Sequence, residues 1–254
     1  MKKIKHIIIV AIISLLTAVS CQEPLDLAPL DYFGDGNYWQ NEAQVSNFMV
    51  GIHKQLRDNQ FMFLRLGEMR SGIYSNIDRQ NTSLNELPII EQRINENSTG
   101  VTNWSGFYGP ILQLNLFIQK VENITFLTDA KKAYLLGQAY GLRAFYYFHL
   151  LRTYGGVPLR LEPEVLNGNT DPVLLRKARA TEAEILAAIK SDITKSVSNF
   201  GTSANPSEKS LWSPNATLML KGEVYLWSAK VYGTTGDLAE AKNALNAVTG
   251  TSLV

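Results

Sequence analysis

The sequence holds one cysteine and three histidines in 254 residues. A single thiol makes no internal disulfide, and so few histidines leave little from which to build a zinc site. Neither charge is in excess: 24 Lys and Arg face 23 Asp and Glu, a formal charge of +1. That balance argues against a nucleic-acid footprint. Glycine and proline, at 18 and 9, are too few and too scattered for a collagen-like or low-complexity chain. No G-x-G-x-x-G or P-loop run occurs, so nucleotide chemistry has no foothold. What is present is a 45% hydrophobic share, the composition of one or two packed globular domains.

The N-terminus is the first informative segment. Residues 1–6 are basic without an acid, and residues 7–16 are apolar except for Ser14. That run is well short of the ~20 residues a membrane-crossing helix needs. Thr17, Ala18, Val19 and Ser20 then place small residues before Cys21. A basic start, an apolar core and small residues together predict a signal peptide over residues 1–20. The junction resembles a bacterial lipobox, in which the cysteine is acylated, commonly with palmitate, and the preceding peptide is removed. The Leu usual three places before the cysteine is Ala18 here. Cleavage would leave 21 basic residues against the 23 acids, a charge of −2. Lipidation of Cys21 would occupy the only thiol, leaving neither nucleophile nor metal ligand, and would anchor a soluble body to a membrane.

Beyond a lipidated tether over residues 21–41, rich in Pro, Gly, Asp and Asn, the body at 42–254 reads as helices. Val45, Phe48, Met49, Ile52 and Leu56 form one stripe from about Glu42, with His53 at its edge as a surface residue. Ile111, Leu114, Phe117, Ile118 and Val121 form a second. From Asp129 to Tyr154 apolar residues nearly encircle the axis, the pattern of a helix at the centre of a bundle. Gly155, Gly156 and Pro158 stop it. Thr181 and Glu184 make a capping box ahead of Ile185, Leu186, Ile189, Ile193 and Val197. Ser213-Pro214 opens a helix to about Val231. A last helix from Asp237 turns Leu238, Ala241, Leu245 and Val248 inward. No run alternates as a strand would.

Leu136-Gly137-x-x-Tyr140 and Gly222-x-x-Tyr225 match parts of a tetratricopeptide repeat, and Ala241-x-x-x-Leu245 resembles its second helix. The small residue admits the partner helix and Tyr fills the gap beside it. Patterns this short also arise by chance, and the Tyr225-to-Ala241 spacing exceeds the standard repeat. The fold class is mainly α, with tetratricopeptide-like helix pairs and long irregular loops. The longest such loop, residues 67–103, is polar and weakly periodic, a kind of segment often used for function.

Several segments together resemble the N-terminal half of the SusD/RagB family of outer-membrane nutrient-binding lipoproteins. After the lipobox, Gln22-Glu-Pro-Leu-Asp-Leu-Ala-Pro29 is similar to the family's opening, and Tyr38-Trp-Gln-Asn-Glu-Ala43 to its approach to the first helix. The most specific match runs from Leu142 to Leu159, with Arg143-Ala144-x-x-Tyr147-Phe148 followed by Tyr154-Gly155-Gly156-Val157-Pro158. Members are usually longer, so residues of their C-terminal half have no counterpart here. The resemblance implies a surface-exposed, lipid-anchored binder of the outer membrane, not an enzyme and without a cofactor. Such a protein captures oligosaccharides or polysaccharides (peptides in some branches) and delivers them to a SusC-like TonB-dependent transporter. The residues alone allow another reading, a helical-repeat lipoprotein scaffold in outer-membrane assembly.

Sugar capture needs an aromatic ring against the sugar face, with amides and Arg on the hydroxyls. Arg70, Tyr74, Asn76, Arg79 and Asn81 supply that set within a dozen residues and are the candidate ligand-binding residues. Tyr74 could equally pack on a helix, leaving the amides to solvate a loop. Trp104 opens a helix with Phe107 and Ile111 and reads as packing; Arg143 and Tyr154 read as structural. Glycosidases use carboxylate pairs, yet nothing sets Glu91 and Glu96, or Glu162 and Glu164, apart from loop acids. Asp31, Asp35 and Glu42 imitate a calcium loop, but Phe33 stands where an oxygen ligand is required.

Overall fold

The computed structural model describes residues 38–72, 86–98 and 103–250. Cys21 with its leader, and the calcium-like loop up to Asn37, lie outside them. The helices belong to the unit Asn41–Val254. In chain order they are α1 (Glu42–Asp58), α2 (Gln60–Leu66), α3 (Leu87–Ile90), α4 (Ser105–Asn123), α5 (Asp129–Tyr154), α6 (Glu182–Phe200), α7 (Pro214–Tyr232) and α8 (Gly236–Asn246). A 3-10 turn at Glu68–Arg70 follows α2. Among the described residues there is no strand, only an isolated bridge between Asn95 and Ser98.

Local chemistry sets the helix ends. Asn41, Thr128, Thr181 and Ser213 each accept a backbone N–H of the first turn. The Thr181 box is reciprocal, with Glu184 N–H donating to Oγ1 and Oε2 accepting from the Thr181 N–H. Successive long helices then pack as antiparallel neighbours, α4 on α5, α5 on α6, α6 on α7 and α7 on α8. The helix α5 is the axis, with Leu142, Ala144, Tyr146, Phe148 and Leu150 wholly buried.

The repeat-like glycines make the close approaches their pattern implies. A Cβ on Gly137 would lie 3.0 Å from the Phe200 ring, and one on Gly222 2.5 Å from Leu245 Cδ2. The pair α5/α6 is therefore built as α7/α8 is: Ser196-x-x-x-Phe200 takes the place of Ala241-x-x-x-Leu245. The polar Ser196 hid that equivalence in the sequence.

The family-like signature at residues 143–158 is a device for holding chain that has no sheet partner. Arg143 is 4% exposed on α5 and makes a bidentate pair with Asp192 of α6 at 2.7 and 2.8 Å. Its Nη1 also donates to Asn115 Oδ1 and to the Leu161 carbonyl. One turn on, the Tyr147 hydroxyl donates to the Arg160 carbonyl at 2.6 Å and accepts from its N–H. Asn115 and Tyr108 of α4 donate to the carbonyls of Arg160 and Pro158. Side chains thus satisfy the backbone of residues 158–161 and lay it across α4 and α5. The glycines give the turn before it: Gly155 has φ +67°, and a Cβ on Gly156 would sit 2.6 Å from the Ala180 carbonyl oxygen.

Two sequence expectations need correction. His53 is not on the surface but 7% exposed. Its Nδ1–H donates to Met49 O and its Nε2 accepts the Trp212 N–H, both at 2.8 Å. The Trp212 indole donates to Thr217, whose hydroxyl meets Ser196, which donates to Gly137 O. This polar chain ties α1 to α7, α6 and α5. Second, Leu238 and Leu245 are 47% and 48% exposed; of the expected inward face α8 buries Ala241, and with it Ala244. Lying at the edge of the array on α7, α8 buries its small residues against its neighbour, while Leu245 reaches over Gly222 with about half of its surface left in water.

Neutral histidines make the fold acid-sensitive. Burial first, and then the Arg152 guanidinium, hold His149 down to about 3. Burial also lowers His53, against the opposing bond to Met49. Below the ordinary histidine range, near 6.5, the unfolded chain therefore binds more protons than the folded one. Stability should be complete above that range and fall steadily as pH drops from about 6.5 toward 3. Urea midpoints at pH 7.5 and pH 5 check this, and His149→Gln should reduce the difference; equal midpoints in the wild type would refute it.

Candidate functional site

Residues 60–72 and 86–98 build a shelf against the C-terminal part of α5. Phe63 of α2 seats it, with its ring centroid 4.7 Å from His149, 5.1 Å from Phe145 and 5.9 Å from Tyr146. Within the long loop expected from 67 to 103, Leu87-Pro-Ile-Ile90 forms the single turn α3 and drives Ile89 fully into the core. Met69 of the 3-10 turn is buried beside it in the fold's interior. Two long-range contacts fasten the loop's ends, Arg65 with Glu86 at 3.6 Å and Gln92 Nε2 donating to Arg70 O at 3.1 Å.

That framework presents Arg70 at the rim of an open depression of ≈520 Å³ lined by Leu66, Ser71, Gln92 and Ile94. The Arg70 guanidinium stands there with the Gln92 amide, one of whose protons goes to the Arg70 carbonyl, and with the Ser71 hydroxyl, which donates to the Glu68 carbonyl. Together they form a polar surface of mixed donors and acceptors suited to hydroxyl groups. Of the candidate ligand residues, Arg70 alone is described; Tyr74, Asn76, Arg79 and Asn81 lie outside the described residues. Gln92, twenty-two positions on, was not legible as part of the set because only the fold of α3 brings it back.

Trp104 stands at the start of α4, half-buried, with the edge of Tyr154 at 5.6 Å. Arg179 lies 4.3 Å over its ring and donates to the Gly156 carbonyl. Its face is thus occupied by a cation from the segment before α6, a packing role at the surface rather than in the core. Arg143 and Tyr154 are structural, as read. One carboxylate of each pair that might have imitated a hydrolase is engaged in an ion pair, Glu91 with Arg93 and Glu164 with Arg160. Among the described residues no three His, Cys, Asp or Glu side chains come together as a metal site, and no helix is long and apolar enough to cross a membrane.

Comparison with known proteins adds the family. The profile of a SusD-like family, described as starch-binding and associating with the outer membrane, matches residues 31–226. The SusD-like protein P38 of Formosa agariphila is 30% identical over 233 residues, 89% of this chain and 43% of that protein. The solved structure of NanU from B. fragilis superposes with a TM-score of 0.76 at 39% identity, covering 89% of this chain and 45% of that one. Surface glycan-binding protein A from Bacteroides fluxus shares the fold, with a TM-score of 0.65 at 16% identity over 84% of this chain and 46% of its own. The chain spans less than half the length of each.

Proposed function

The chain belongs to the SusD-like family, and from that premise we propose that it is a cell-surface lipoprotein that binds oligosaccharide and delivers it to a SusC-like TonB-dependent outer-membrane transporter. The observation that carries the reading is the family match across residues 31–226, and the Arg143-to-Pro158 signature within it holds the fold as described above. The starch-binding description of the family and the glycan-binding name of a structural neighbour supply the ligand class. Cys21 carries the acyl anchor, residues 1–20 are the export signal, and residues 21–41 the tether. Arg70 binds the ligand together with Tyr74, Asn76, Arg79 and Asn81. The protein is a binder and not a catalyst. A scaffold role in outer-membrane assembly would be favoured by a regular repeat of about 34 residues, which the chain does not sustain.

Extraction of the native protein from outer membranes in mild detergent tests this. A large barrel protein should come with it in fixed ratio, and protease added to intact cells should degrade it. A lone subunit protected from external protease would overturn the reading.

A further inference from the structure

A second concavity lies beside the Arg70 depression, and the two share Gly67 on their walls. It is a cleft of ≈670 Å³ between α2, the last turns of α5 and α7, lined among others by Gln60, Phe61, Phe63, His149, Arg152 and Glu223. That volume is within the ordinary range for small-molecule sites. We propose that this cleft is a sugar subsite that takes an uncharged pyranose unit, stacked on Phe61 and bonded by the Arg152–Glu223 pair. The proposal rests on the carbohydrate reading above and adds a place and a charge class to it.

Three observations converge. Phe61 is 52% exposed at the cleft's edge, although Phe63, two residues on, is packed into the aromatic cluster. A large ring kept half in water beside a cavity gains by receiving an apolar sugar face. Arg152 is fixed before any ligand arrives: Nη1 donates to Glu223 at 2.5 Å, the guanidinium lies 4.4 Å over Phe148, and Nη2 donates to His149 Nδ1 at 3.3 Å. A side chain already ordered loses little freedom on binding. Finally, the pair offers donors and acceptors together, as vicinal hydroxyls require, while its charges cancel. His149 stays neutral under the burial and repulsion already given, and Glu68 adds a negative charge to the wall. An acidic sugar would meet net repulsion. Because Gly67 borders both concavities, a chain of sugars seated here continues toward Arg70.

Purified protein should be run through native gels cast with neutral glycans (laminarin, starch, xylan, galactomannan) and with acidic ones (alginate, polygalacturonate). At least one neutral glycan is expected to retard the wild type and no acidic one should. Phe61→Ala and Glu223→Gln should each weaken that binding tenfold or more, with thermal unfolding near that of the wild type since both side chains are at least half exposed. If both variants bind as the wild type does, the subsite is refuted while the carbohydrate reading stands. Binding confined to acidic glycans also refutes it. A wild type retarded by no glycan overturns the subsite and the carbohydrate reading together.

Discussion

Asp192→Ala is expected to cost about 3–5 kcal/mol, the scale for removing one partner of a buried ion pair. Both side chains of the pair are 5% exposed, and the bond between them is bidentate. Burial opposes the charge on Arg143, and the Asp192 carboxylate outweighs it, raising the guanidinium above its ordinary value. Without that carboxylate the cation stays, because guanidinium does not deprotonate at any accessible pH. The loss also spreads. Arg143 donates to Asn115 and to the Leu161 carbonyl, so an unanchored Arg143 loosens the segment that Tyr147 and Tyr108 also hold. A domain of ordinary stability, about 5–15 kcal/mol, would lose a large fraction of it. Replacing both partners, as Arg143→Met with Asp192→Leu, should recover much of the loss, since no buried charge remains. Urea unfolding of the two variants measures both effects; a cost below about 1 kcal/mol for Asp192→Ala would show that the pair is not what holds α5 to α6.

Glycine to alanine should have opposite signs at two helical positions. Gly51 lies exposed on α1, and a Cβ there meets nothing within 4 Å. Gly51→Ala should therefore stabilise by about 1 kcal/mol, the helix-propensity difference. Gly141, on α5, would gain the same propensity. Its Cβ, however, would overlap the Trp212 indole nitrogen and lie 2.8 Å from Cε2 and 3.0 Å from Ser196 Oγ. Trp212 has little room to withdraw: His53 holds its backbone N–H, Thr217 its indole N–H, and Phe145 its ring at 5.7 Å. Overpacking of this kind costs about 1–3 kcal/mol, occasionally more. The indole bond to Thr217 is lost as well if the ring turns away, so Gly141→Ala should be destabilising despite the better helix former. Thermal unfolding of the two single variants decides it. A stabilised Gly141→Ala would mean that Trp212 is not wedged between α1, α5 and α7.

The candidate site was legible only where its residues are neighbours in sequence. Arg70 stood out by its amide-rich surroundings, and the structure does set it at an open depression. Phe61 did not stand out, because an apolar residue at helical spacing reads as core whether or not anything covers it. Arg152 and Glu223 are 71 positions apart, and neither carries a motif that names the other.

The long helices were written in the chain, whereas α2 and the single turn α3 were not. The Thr181 box, the Ser213-Pro214 start and the Gly155 stop act within a turn or two of backbone, so their identity alone fixes where helices begin and end. The encircling apolar pattern of α5 likewise demanded burial on every side, whatever surrounds it. Gly222 announced a close approach with Ala241-x-x-x-Leu245 as the partner pattern, whereas Gly137 announced one without naming Phe200. What only the tertiary structure decided is which half-apolar faces meet another element. His53 is interior because Trp212, 159 residues later, reaches it, whereas Leu238 and Leu245 remain at the rim of α8. Periodicity specifies that a face prefers to leave water; the packing of distant segments determines whether anything arrives to cover it.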